Sequence, residues 1–166
     1  MKYLASFIVA FLMLSCGQKK VERESFSAET LAHEVVALNG NKVAFSEVLN
    51  KHKGKTIVIE VWASWCSDCV KAMPLIKELQ AEDPEVAYIF LSMDKNADAW
   101  KDGIEKHSIK GDHYWAEEGM KGEFAKSLDV SWIPRYIIVD KEGNIGLYNA
   151  IETDFSKIRE TLKNIK

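Results

Sequence analysis

The sequence predicts an α/β fold, a central mixed β-sheet flanked by helices with a β-hairpin added at its N-terminal end. Four observations carry that prediction. Two short apolar, β-branched runs, residues 56–61 and 86–93, have the composition of strands buried on both faces. The helical stretch between them makes a βαβ crossover, the connection that joins parallel strands. Near the C-terminus, residues 135–140 and 144–150 bracket Lys141-Glu142-Gly143 as the arms of a hairpin do. Near the N-terminus, residues 35–45 break at Asn39-Gly40, a dipeptide suited to the positive φ angles of a tight turn.

In chain order, residues 1–15 are read as a signal peptide, 16–30 as a lipidated cysteine with a flexible tether, and 31–166 as one domain. Lys2 precedes a mainly apolar run over residues 3–14, too short for a membrane-spanning helix, which needs about 20 residues. Residues 17–30 are polar and charged without periodicity, as a tether is. After the N-terminal hairpin, Ser46 is placed to cap a short helix over 47–51. The strand at 56–61 leads into Cys66 and Cys69 and a helix over 70–79, which Glu82-Asp83-Pro84 ends. Residues 94–107 read as a helix with Trp100 and Ile104 four apart on one face. Residues 110–122 carry glycines, His113, Tyr114 and Trp115, and are the least readable part. A short helix at 123–128 leads to the loop around Pro134. The last helix, with Thr153 or Asp154 as cap, shows Phe155, Ile158, Leu162 and Ile165 at 3–4 spacing.

The chemistry sits where strand meets helix. Unpaired N–H groups and the partial positive charge of a helix N-terminus stabilise a thiolate there. Cys66, at that end, is read as the nucleophile, and Cys69, one turn on, as the resolving thiol. Zinc is the competing reading, but it wants four ligands, usually from paired thiols or histidines. The chain has no second Cys pair, and its four histidines show no paired motif.

Trp65-Cys66-Ser67-Asp68-Cys69 resembles the active site of the thioredoxin superfamily, and other positions agree with it. Glu60 lies six residues before Cys66, where thioredoxins carry a buried acid. Pro74 lies five after Cys69, matching the proline of their active-site helix. Val130-Ser131-Trp132-Ile133-Pro134, followed by residues 135–140, resembles the loop and strand around their cis-proline. Among branches, the chain is similar over residues 33–166 to the extracytoplasmic TlpA/ResA-like thiol-disulfide oxidoreductases, which add an N-terminal hairpin to the thioredoxin fold.

The resemblance implies catalytic roles for Cys66, Cys69 and Glu60, a redox disulfide between the two cysteines, and a substrate surface at Trp65, Ile133 and Pro134. Glu60 would accept the proton of Cys69 during resolution. The bland alternative is a strand-edge acid that reaches water. It further implies a monomer without cofactor or metal, protein disulfides as substrates, and a membrane thiol-disulfide relay as electron donor. Apocytochrome c is the substrate class often served by this branch. Met13-Leu14-Ser15-Cys16 resembles a bacterial lipoprotein processing box, which implies a lipid on Cys16 holding the protein on the extracytoplasmic face of a membrane. Asp68 stands where many relatives have proline. Its charge opposes thiolate formation and argues against a strongly oxidising enzyme.

Rival readings are a disulfide oxidase or isomerase, a peroxiredoxin-like peroxidase, and a metal-carrier lipoprotein with Met73 near the thiols. Trp132 and Arg135 replace smaller or neutral residues of many thioredoxins. Either they shape the substrate groove, or Arg135 is a solvated strand residue. His107 and His113 are read as surface residues. With 47% hydrophobic and 28% charged residues and a net charge of −3, the chain has an ordinary globular composition and no electrostatic ground for a nucleic-acid partner.

Overall fold

The computed structural model describes residues 24–165. The predicted signal peptide and Cys16 lie outside the described residues. Its elements run α1 (Ala28–Ala32), β1 (Glu34–Ala37), β2 (Lys42–Ala44), α2 (Phe45–Asn50), β3 (Ile57–Trp62), α3 (Ser67–Glu82), β4 (Ala87–Ser92), α4 (Ala97–His107) and β5 (Asp112–Trp115). After a 3₁₀ turn at Gly119–Lys121 come α5 (Glu123–Ser127), β6 (Arg135–Val139), β7 (Ile145–Ala150) and α6 (Phe155–Ile165).

All seven strands form one sheet in the order β2-β1-β5-β4-β3-β6-β7. β3, β4 and β5 are parallel, and the flanking strands are antiparallel to their neighbours. This is the thioredoxin fold with the predicted hairpin β1–β2 added at one edge. β3 and β4 are buried at every position, which is why their sequences are runs rather than alternations. Two successive right-handed crossovers put α3 and α4 on the same face of the sheet. Lys77 Nζ donates to the His107 carbonyl at 2.9 Å, tying α3 to α4. Arg159 Nε donates to Glu82 at 2.8 Å, tying α6 to α3 on its other side. A second group of helices, α1, α2 and α5, gathers around Phe45, whose ring stands 5.2 Å from Phe26 and 5.3 Å from Phe124.

Several expectations need correction. The folded body reaches back into the predicted tether: Phe26 and Thr30 are buried, and Ile145 N–H donates to the Glu24 carbonyl at 2.9 Å. Ser46 does not cap α2, because the helix starts at Phe45 and leaves Ser46 inside its first turn. Asn96 caps α4, its side chain accepting from Ala99 N–H at 2.9 Å, so residues 94–96 lie outside that helix. Asp154 turns back to accept from Ile151 N–H at 3.0 Å. His113 is buried, stacked on Phe90 at 5.2 Å with Nε2 against the Ile109 carbonyl. It sits on β5, the strand that sequence reading did not see.

Candidate active site

Strand register assembles the site. Trp62 at the end of β3 lies beside Ser92 at the end of β4, and Val61 lies beside Arg135 at the start of the antiparallel β6. Three loops therefore meet at one edge of the sheet: residues 63–66, residues 93–94, and the Ile133–Pro134 segment. The C-terminal edge of parallel strands is where α/β sheets generally build their sites.

Cys66 is the N-cap of α3, a position that usually takes a side-chain oxygen. Here the sulfur serves instead, accepting from Cys69 N–H at 3.1 Å. The two sulfurs are bonded at 2.08 Å. Cys66 keeps 6% of its surface exposed and Cys69 none, so only the first presents sulfur to solvent. Asp68 in the first turn is ion-paired with Lys71 at 3.1 Å, which offsets part of its charge beside the thiols.

The Ile133–Pro134 peptide is cis, and the Ile133 carbonyl oxygen lies 3.6 Å from Cys66 Sγ. Trp65 and Trp132 stand out from this edge, 54% and 55% exposed. With Cys66, Asp68, Met120 and Ile133 they line a groove of about 260 Å³ open at the disulfide. Trp65 thus borders the sulfur without shielding the groove from solvent. Arg135 does not join the groove, and the solvated reading is overturned too. It is buried, donating to Asn149 Oδ1 at 2.8 Å and to the Asp129 carbonyl at 3.4 Å.

Glu60 is 1% exposed, so the bland alternative of a side chain reaching water fails. Its partner in register is Tyr136 of β6, whose hydroxyl donates to Oε1 at 3.4 Å. Directly paired residues share a face, and the Tyr136 ring packs on Phe155 of α6 at 5.2 Å. Glu60 therefore lies on the α3–α6 side of the sheet, the side into which Cys69 is buried. Burial pushes its carboxyl up to about 8, and the Tyr136 hydrogen bond pulls it back in part. Oε2 has no partner among the described residues.

Sequence reading missed Asp94. Fully buried after β4, its carboxylate accepts from Ser64 N–H (3.0 and 3.1 Å), Ser64 Oγ (2.7 Å) and Ser92 Oγ (2.8 Å). Those bonds hold the loop that delivers Trp65 and Cys66. An acid directly after a buried parallel strand was the available signal. Met120 was missed as well, and nothing local marks it. Among the described residues, no group of three His, Cys, Asp or Glu side chains converges as a metal site.

A family model described as Thioredoxin-like matches residues 54–145. The thiol-disulfide oxidoreductase ResA of Bacillus thuringiensis subsp. konkukian is 27% identical over 171 residues, covering 96% of this chain and 95% of the relative. Among solved structures, the thioredoxin domain of a thiol-disulfide oxidoreductase from Bacteroides vulgatus superposes with a TM-score of 0.66. It is 24% identical and covers 86% of this chain and 100% of that one. A thiol-disulfide oxidoreductase from Bacteroides fragilis gives a TM-score of 0.65 at 23% identity, covering 77% of this chain and 95% of that one.

Proposed function

The chain belongs to the thioredoxin-like family, and from that premise we propose that it is a thiol-disulfide oxidoreductase that reduces disulfides of extracytoplasmic proteins. One observation carries the reading: a cysteine pair at the start of α3 with a single sulfur open to a groove. In the reduced enzyme, the Cys66 thiolate attacks one sulfur of a substrate disulfide, and the other substrate sulfur leaves as a thiolate. Cys69 then loses its proton to the Glu60 carboxylate and attacks Cys66 Sγ. The Cys66–Cys69 bond forms, the bond to substrate breaks, and two electrons have passed to the substrate. A base near 8 is well matched to a thiol whose ordinary pKa is about 8.5, since the proton then moves with little change in free energy.

The Ile133–Pro134 backbone, with Trp65 and Trp132 as walls, would hold an extended substrate segment against Cys66. Electrons would return from a membrane thiol-disulfide donor. Such a donor fits the N-terminal sequence, with its short apolar run ending at Cys16.

Cys69→Ser tests the chemistry. It removes the resolving sulfur, so mixed disulfides on Cys66 should accumulate in cells and dissolve on reduction. Cys66→Ser should trap nothing. Adducts that form equally in both variants would remove the nucleophile assignment. Anchoring has its own test: Cys16→Ala should abolish lipid labelling while the soluble domain keeps its reductase activity in vitro. A mature protein that carries no lipid and lacks Cys16 would discard the anchor.

A further inference from the structure

We infer that Tyr136 is a positioning residue for Glu60, its hydroxyl occupying Oε1 throughout the cycle and leaving Oε2 as the atom that takes and returns the proton. The inference rests on the reading of Glu60 as the base for Cys69. Its geometry is independent of that reading. Tyr136 is fully buried, and its hydroxyl reaches Oε1 at 3.4 Å. Burial and the neighbouring carboxyl raise its own pKa far above the ordinary range, so it stays a donor at every working pH. The carboxyl therefore has one oxygen committed as acceptor and one free.

The surroundings enforce this division. On the Glu60 face, α6 contributes the apolar side chains of Phe155 and Ile158, and α3 contributes Met73 and Ile76. Phe90 is the β4 neighbour in register. Cys69 is the titratable residue that α3 buries on this side. The group whose interaction moves the Glu60 carboxyl is Tyr136. Glu152, just after β7, acts on Tyr136 in turn, and its Oε2 is buried without a partner among the described residues. During resolution the proton passes from Cys69 sulfur to Oε2 as the Cys66–Cys69 bond forms. When the disulfide is reduced again, Cys69 leaves as thiolate and recovers that proton.

A hydrogen bond to a charged carboxylate stabilises it more than it stabilises the neutral acid. Tyr136→Phe keeps the ring against Phe155 and removes the donor. In the oxidised protein, a ¹³C carboxyl titration, with Glu60 assigned through Glu60→Gln, should then show its midpoint raised by about one pH unit. Site-specific 3-fluorotyrosine at position 136 is nearly isosteric and a stronger donor, so it should lower the midpoint. Opposite shifts from the two changes separate hydrogen bonding from a loosened core. The pH profile of mixed-disulfide resolution should follow the carboxyl midpoint in both. An unmoved carboxyl midpoint in Tyr136→Phe, as expected if the hydroxyl served Glu152, overturns the inference whatever the rate does. Carboxyl shifts that leave the resolution profile in place uphold the control by Tyr136 and instead remove Glu60 as the base.

Discussion

Glu60→Gln should flatten the pH dependence of stability of the oxidised protein between pH 5 and 8. The folded carboxyl titrates near 8 against an ordinary value of 4.5, so the folded state holds its proton more tightly than the unfolded chain does. Below 4.5 both states are protonated and the residue costs nothing. Between the two values the unfolded chain gains by ionising while the folded protein cannot, and stability falls by about 1.4 kcal/mol per pH unit. Above 8 the loss is complete. Over pH 5 to 8 the native chain should therefore lose about 3.5 kcal/mol more than Glu60→Gln does. Urea unfolding of the oxidised proteins measures this, and oxidation keeps the thiols from titrating. Parallel curves for the two proteins would mean that Glu60 ionises freely and is unfit as a tuned base. The variant should also resolve mixed disulfides more slowly, because an amide cannot accept the Cys69 proton.

Asp94→Ala should cost about 3 kcal/mol and loosen the loop that presents Cys66. The substitution leaves Ser64 N–H, Ser64 Oγ and the fully buried Ser92 Oγ without their acceptor. Stranding donors that had bonded to a charged group costs more than the bonds contribute on average. Asp94→Asn keeps one acceptor oxygen and should lose roughly half as much. Disulfide reduction should slow about tenfold in the alanine variant, since a displaced nucleophile loses the alignment that speeds attack. Denaturation midpoints and insulin reduction rates measure the two effects. Native midpoints in both variants would show that the loop is held by its backbone alone.

Much of this protein was legible along the chain. Residues 56–61 and 86–93 read as buried parallel strands because a strand covered on both faces must be apolar at nearly every position. Asn39-Gly40 and Gly143 marked their turns, and both glycines take positive φ there, 86° and 95°. The cysteine spacing placed two thiols one turn apart at a helix start. Each of these signals is local: the residues that carry it are also the residues that satisfy it.

What the chain order could not show depends on partners brought from far away. Asp112–Trp115 has no apolar alternation of its own, and it becomes a strand because β4 and β1 offer it hydrogen bonds on both sides. Arg135 reads as either a groove residue or a solvated cation until Asn149 and the Asp129 carbonyl are folded over it. Asp94 gains its meaning from Ser64, thirty residues upstream, which parallel pairing of β3 with β4 carries to its side. Glu60 divides along the same line. Its place six residues before Cys66 was plain from the sequence alone. Its basicity was not, because burial beneath two helices and a hydroxyl 76 residues away set it, and both are properties of the packed sheet.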